Sequence, residues 1–157
     1  MKYIKSLGKH FAKQQKKYSK GEIMDFSKLN MTEHADKGAK MQVMHPSTGE
    51  PLEGVTITLL GDDSTVQRLR LAELRQKALA KKGNFNKIYD LTEEHSQSIR
   101  ISKTIGWEGI AWEGKELACT PENVRKIYSN DGFRWLVDQV DRFTVDRSNF
   151  LASADNS

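Results

Sequence analysis

The segment VTITLLGDDS, residues 55–64, constrains the fold more than any other part of the chain, because a strand ends and a helix begins within it. Its first five residues alternate apolar side chains with Thr, which predicts a strand with one buried face. Gly61 ends this strand, and Asp63 or Ser64 can then cap a helix. We therefore interpret the acidic pair in GDDS as part of a helix start and not as a metal site.

Helical patterns follow this strand. The apolar spacing predicts one helix over residues 65–82, with Gly83 as its C-terminal cap, and a second over residues 86–103. The second has a weakly apolar face, which indicates loose packing or a partner; this face comprises Ile88, Leu91, His95, Ile99 and Ser102. Thr120 and Pro121 begin a third helix, and Asp131 is expected to cap a fourth, whose apolar stripe includes Phe133, Leu136, Val137, Val140 and Thr144.

A second strand is predicted before the first, over residues 40–45. The turn-rich HPSTGEP between the two strands indicates a hairpin with a long loop. Residues 105–109 are interpreted as a turn that connects helices. The expected fold is therefore α+β and mainly helical, with an N-terminal β-hairpin followed by about four helices. An all-α fold with minor strands is the alternative.

The charge is concentrated at the N-terminus. Residues 1–23 contain seven Lys and one Glu, whereas the whole chain carries +4, so the rest of the chain is slightly acidic. Three hypotheses fit this leader: a mobile tail, a binder of nucleic acid or anionic membrane, or a segment upstream of a true start at Met24. The expected domain covers residues 24–151, with a polar tail over residues 152–157.

No pattern of residues predicts catalysis or a cofactor. The four His are not at metal-ligand spacing and none is near Cys119, so neither zinc nor a Cys/His nucleophile is indicated. No apolar run approaches the length of a membrane helix or of a signal-peptide core. The chain is therefore expected to be a non-enzymatic cytoplasmic protein without cofactors.

Aromatic residues give the main indication of binding. Trp135 lies almost opposite the apolar stripe of the last predicted helix and has polar neighbours one turn on. An exposed Trp beside Arg134 suggests a binding hot spot, unless another element or the C-terminal Phe150 covers it. Trp112 is expected to pack elements together or to contribute to the same surface. The predicted partner-binding residues are Trp112, Arg134, Trp135 and Phe150.

The chain resembles the tail assembly chaperones of long-tailed, siphovirus-type bacteriophages over roughly residues 24–151. The resemblance rests on the order and spacing of several short motifs: MDFSKL (24–29), HPSTGEPL (45–52), VTITLLGDDS (55–64), GWEG (106–109), TPENV (120–124) and SNFL (148–151). The family pattern begins near Met24, so the basic leader departs from it.

This resemblance implies a protein that binds the tape measure protein in the host cytoplasm and helps to recruit tail tube subunits around it. It also implies possible self-association and absence from the mature virion. The alternative is a structural head–tail connector or minor tail protein that stays in the particle. Nucleic acid is not expected as a partner except through the basic leader.

Overall fold

The computed structural model describes residues 23–82 and 92–155. The basic leader up to residue 22, the expected cap at Gly83 and the expected helix residues 86–91 lie outside the described residues. The chain divides into two compact units, Met1–Asn30 and Met31–Ser157. In the first, a 3₁₀ helix, Phe26–Leu29, begins where the carboxylate of Asp25 accepts the N–H of Ser27 at 3.0 Å.

The second unit is mixed α+β, as predicted. A three-stranded antiparallel sheet has the order β1–β2–β3, with bounds Ala39–Met44, Pro51–Leu59 and Thr104–Glu108. A small two-stranded ribbon pairs β4, Ala111–Trp112, with β5, Lys115–Glu116. The described residues also form six helices: α1 (Met31–Lys37), α2 (Thr65–Lys82), α3 (Glu93–Lys103), α4 (Pro121–Tyr128), α5 (Arg134–Val145) and α6 (Ser148–Asp155).

Strands β1 and β2 are antiparallel neighbours, with Met41 opposite Ile57. The loop between them is organised by His45, whose Nδ1 accepts the backbone N–H groups of Ser47 and Thr48 at 3.1 and 3.2 Å. The imidazole therefore acts as an acceptor that shapes the turn, which agrees with the interpretation of this segment as a loop.

Strand β3 corrects one expectation, because residues 105–109 were predicted as a turn. Trp107 instead lies opposite Ile57 in an antiparallel pairing with β2. The indole Nε1–H of Trp107 donates to the carbonyl of Leu117 at 2.6 Å. Strand β3 thus pairs with the second edge of β2 and adds an apolar cross-strand pair. The sequence predicted a turn here because Gly106 interrupts the apolar pattern.

Helix α2 has the predicted bounds, and its cap is Ser64, whose Oγ accepts the N–H of Gln67 at 3.3 Å. Asp63 does not cap the helix. Its carboxylate accepts two hydrogen bonds from the Arg147 guanidinium, at 2.6 and 3.0 Å, and this partner holds the pKa of Asp63 below its usual range. Of the two predicted caps, Asp63 and Ser64, Ser64 is therefore the one that caps α2.

The core lies between one face of the sheet and helices α4 and α5. Alternate residues of the strands point into it, as the period of two requires, and the helices contribute positions three or four apart. Its buried members are Met41, Val43, Ile57, Leu59, Val124, Ile127, Tyr128, Leu136, Val137 and Val140.

One expectation near the C-terminus was wrong. Asn130, not Asp131, provides the cap after α4: its Oδ1 accepts the N–H of Gly132 at 2.9 Å, at the start of a 3₁₀ turn that leads into α5. Residues 148–155 form helix α6, which no sequence pattern predicted, so the predicted polar tail, residues 152–157, is helical as far as residue 155. Its Phe150 is only 2% exposed, so burial of this large side chain fixes the segment.

Candidate partner-binding site

The candidate site begins where α4 ends and α5 starts. Thr120 caps α4 by accepting the N–H of Asn123 at 3.2 Å, and Pro121 occupies the first turn, as predicted. Val124 and Ile127 then face the core, which fixes the rotation of α4. A short 3₁₀ turn follows α4, and its last residue, Phe133, immediately precedes α5. The Phe133 side chain is half-buried.

Three aromatic rings form a row at this junction, which we call the aromatic row: Trp112, Phe133 and Trp135. The ring centroids of Trp112 and Phe133 are 5.8 Å apart, and those of Phe133 and Trp135 are 6.4 Å apart. Both pairs are tilted, within the range of distances at which aromatic rings attract one another. The ammonium of Lys126 lies 4.4 Å from the centroid of the Trp112 ring, close enough for a cation–π contact.

The aromatic row borders an apolar surface pocket of about 200 Å³. The opposite wall comes from the hairpin and the floor from the core: Val43, Leu52 and Val55 on one side, with Ile110, Ile127 and Leu136. Small-molecule sites usually have about 300–1,000 Å³. A pocket of this size and lining suits an apolar side chain of a protein partner better than a drug-sized ligand.

A side-chain amide fixes the distance between the hairpin and α5. The Oε1 of Gln139 accepts the N–H of Met44 at 3.0 Å, and its Nε2 donates to the Met44 carbonyl at 2.9 Å. The Gln139 amide thus satisfies both backbone hydrogen-bonding groups of Met44, as a neighbouring strand would. They tie the end of β1 to α5 and so hold two walls of the pocket together.

The structure brings together two of the four predicted binding residues, Trp112 and Trp135. Trp135 is half-buried and not exposed, because Phe133 and the hairpin wall lie beside it. Arg134 faces elsewhere: it lines a separate polar pocket with Glu93 and Asp138.

Phe150 belongs to neither pocket. Its ring packs edge-on against Phe143, with centroids 5.7 Å apart, and lies close to Gly61 and Ala35, where any Cβ on Gly61 would come within 3.1 Å of it. Phe150 is therefore a core residue, and it does not cover Trp135.

Sequence reasoning missed two residues that contact the aromatic row or belong to it. Phe133 was placed on the buried stripe of α5, whereas it is half-buried and separates the two Trp rings. Lys126 was not singled out, although it lies over Trp112. The sequence did contain a signal for the position of Phe133. This residue follows Asn-Asp-Gly and so lies at the start of the helix, where a side chain can lie beside the buried apolar stripe of α5 and not on it.

Asp62, of the acidic pair in the sequence, is engaged in a structural contact. Asp62 accepts from the Lys103 ammonium at 2.6 Å. Burial raises the pKa of the Cys119 thiol, which disfavours the reactive thiolate. Within residues 23–82 and 92–155, no group of three His, Cys, Asp or Glu side chains is placed to hold a metal ion.

None of the described helices combines the length and apolar character needed to cross a bilayer. Comparison with protein-family models gives no match, and comparisons with curated proteins and with solved structures give none either.

Proposed function

We propose that the protein is a non-enzymatic tail assembly chaperone of a long-tailed bacteriophage, which binds the tape measure protein in the host cytoplasm and helps to recruit tail tube subunits. The sequence resemblance supplies the client. The observation that supports client binding is the apolar pocket beside Trp112 and Trp135. Trp side chains that border an apolar depression are frequent hot spots of protein interfaces.

The proposed mechanism is reversible covering of apolar surface. A tape measure protein is long and helical, so before assembly its apolar stripes would be open to water and prone to aggregation. A large apolar side chain of one such stripe would insert beside the aromatic row, and neighbouring residues of the helix would lie along it. Tail tube subunits would then displace the chaperone, so that the finished virion lacks it. No covalent step is involved.

The test is co-expression of a tagged chain with the tape measure protein of the same phage, followed by purification and quantification of the soluble client. We expect the wild-type chain to retain the client and Trp135→Ala to reduce the retained amount at least about tenfold, since truncation of a hot-spot residue costs about 2 kcal/mol or more. Trp112→Ala should act in the same direction.

Val145→Ala is the matched control. Val145 is an apolar residue of the same helix, is 63% exposed and lies outside the pocket. Circular dichroism of each variant establishes that it is folded. Equal retention by folded Trp135→Ala, Trp112→Ala and wild type would overturn the assignment of this pocket. Recovery of the chain in stoichiometric amounts from purified virions would favour the structural tail-protein alternative.

A further inference from the structure

Helix α2 exposes one side along its length. It has 18 residues, which corresponds to about 27 Å. Arg70 marks the side that meets the rest of the unit, because its Nε donates to Ser102 Oγ of α3 at 3.1 Å. Gln67, Leu71 and Leu74 are half-buried and lie on this inner side at about 100° per residue. The opposite side of α2 therefore faces away from α3.

The outer side of α2 carries a seam that is apolar except at Gln76. Leu69, Ala72, Gln76 and Leu79 are spaced by three, four and three residues, which is the spacing of a helix that packs along another helix. All four are exposed, and the two Leu side chains are 56% and 41% exposed. These residues are centred about 140° around the helix from Arg70. No packing against the described residues of the unit therefore accounts for the seam.

Unpaired positive charge borders this seam. Residues 65–82 contain six Lys or Arg and one Glu, and the carboxylate of that Glu73 accepts from Arg70 at 3.0 Å. Arg68 and Arg75 are exposed, lie seven residues apart along one border of the seam, and form no salt bridge within the part of the chain that the structure describes. An acidic partner would satisfy both.

We propose that the outer side of α2 binds an acidic amphipathic helix of a partner protein. Apolar residues of the partner would pack along Leu69 and Leu79, and its carboxylates would pair with Arg68 and Arg75. Residues at the flanks of a helical seam select partners by charge in this way. The assignment is independent of the pocket beside Trp112 and Trp135, since α2 contributes no residue to that pocket.

Two other occupants fit the face less well. A nucleic acid would gain from the Arg side chains, but its phosphates gain nothing from two exposed Leu in the middle of the face. A second copy of α2 would place one strongly basic helix against another, and like charges across such a seam are destabilising.

The test is fluorescence anisotropy with a labelled synthetic helix that carries Leu at positions a and d of its heptads and Glu at positions e and g. The full chain is titrated into it in 0.15 M salt. We expect saturable binding, weakened about tenfold by Leu69→Ala combined with Leu79→Ala, and by Arg68→Glu combined with Arg75→Glu. Since residues 1–23 are basic and every variant keeps them, differences between variants report on α2 alone.

Arg125→Glu combined with Arg142→Glu is the control matched in charge, because both residues are exposed and lie outside this face, on α4 and α5. It should leave the affinity within about twofold. A control peptide of the same charge, with Ser in place of Leu, should bind at least about tenfold more weakly. Equal affinity for that peptide or for a duplex oligonucleotide would show general polyanion binding and overturn the proposal. Equal affinity of the wild type and the two double variants of α2 would overturn the proposal as well.

Discussion

The hydroxyl of Tyr128 connects three elements of the core. The hydroxyl of Thr104 donates to the Arg100 carbonyl at 2.8 Å, which uses its one proton. Tyr128, whose Oη lies 2.9 Å from the Thr104 Oγ1, must therefore be the donor in their bond. The phenol of α4 is thus fixed to the junction of α3 and β3. Burial raises the pKa of Tyr128 above its ordinary value of 10.0, because the phenolate would be desolvated.

We predict that Tyr128→Phe lowers the free energy of unfolding by about 1 kcal/mol at pH 7, the usual net value of one buried hydrogen bond. Because the folded-state pKa is raised, the contribution of Tyr128 is complete below pH 10 and is lost as the pH rises above it. The advantage of the wild type over Tyr128→Phe should therefore shrink above pH 10. Urea denaturation of both proteins at pH 7, 9, 10 and 11 measures this, and a difference that stays constant across the series would contradict it.

At the scale of elements, the connection from β3 to β4 requires a residue without a side chain. Gly109 has φ of +74° and lies against the backbone of β2, where an added Cβ would overlap the carbonyl oxygen of Gly54. Gly114 has a similar φ of +81°, but nothing lies within 4 Å of the place its Cβ would take. The two glycines therefore separate the effect of backbone conformation from that of close approach.

We predict that Gly114→Ala costs about 1 kcal/mol, the penalty of the left-handed conformation alone. Gly109→Ala should cost at least about 2 kcal/mol more, since β2 and the turn must move apart and overpacking adds to the same backbone strain. Chemical denaturation of the two variants gives both values. Equal destabilisation would mean that the turn moves away from Gly54 without resistance.

Local signals explain which elements the sequence predicted. Both ends of helix α2 could be predicted because its cap, Ser64, and its apolar positions follow one another directly in the chain. Strand β3 could not be read, since its partner β2 lies about fifty residues earlier and Gly106 suggests a break. Helix α6 was missed for a related reason: its stability comes from burial of Phe150, a tertiary contact that no local pattern reports.

The sequence predicted only two residues of the candidate site, and it did not predict their arrangement. Trp112 and Trp135 stand out by residue type alone. Their position at one pocket depends on the turn between α4 and α5, which sets Phe133 between them. Arg134 is adjacent to Trp135 in sequence, yet successive residues of a helix point about 100° apart, and Arg134 lines the other pocket.

At the scale of the whole molecule, the last helix closes the second unit onto its first elements. Helix α6 packs against α1 and β1. Phe150, on α6, contacts Phe143 of α5 and the segment that follows β2. One side chain near the end of the unit therefore connects elements that are about ninety residues apart. Its loss should affect the stability of the whole unit and not that of one helix.

We predict that Phe150→Ala lowers the free energy of unfolding by about 3–5 kcal/mol, the usual cost of removing a fully buried Phe. Trp135→Ala should cost less, because Trp135 is half-buried at a pocket that is already open. Denaturation measured by far-ultraviolet circular dichroism and by Trp fluorescence should give coincident transitions for Phe150→Ala, since the lost contact spans the unit. Transitions that separate would show that α6 unfolds alone. Phe150 would then be a peripheral residue, and a direct role in partner binding, as predicted from the sequence, would again be open to it.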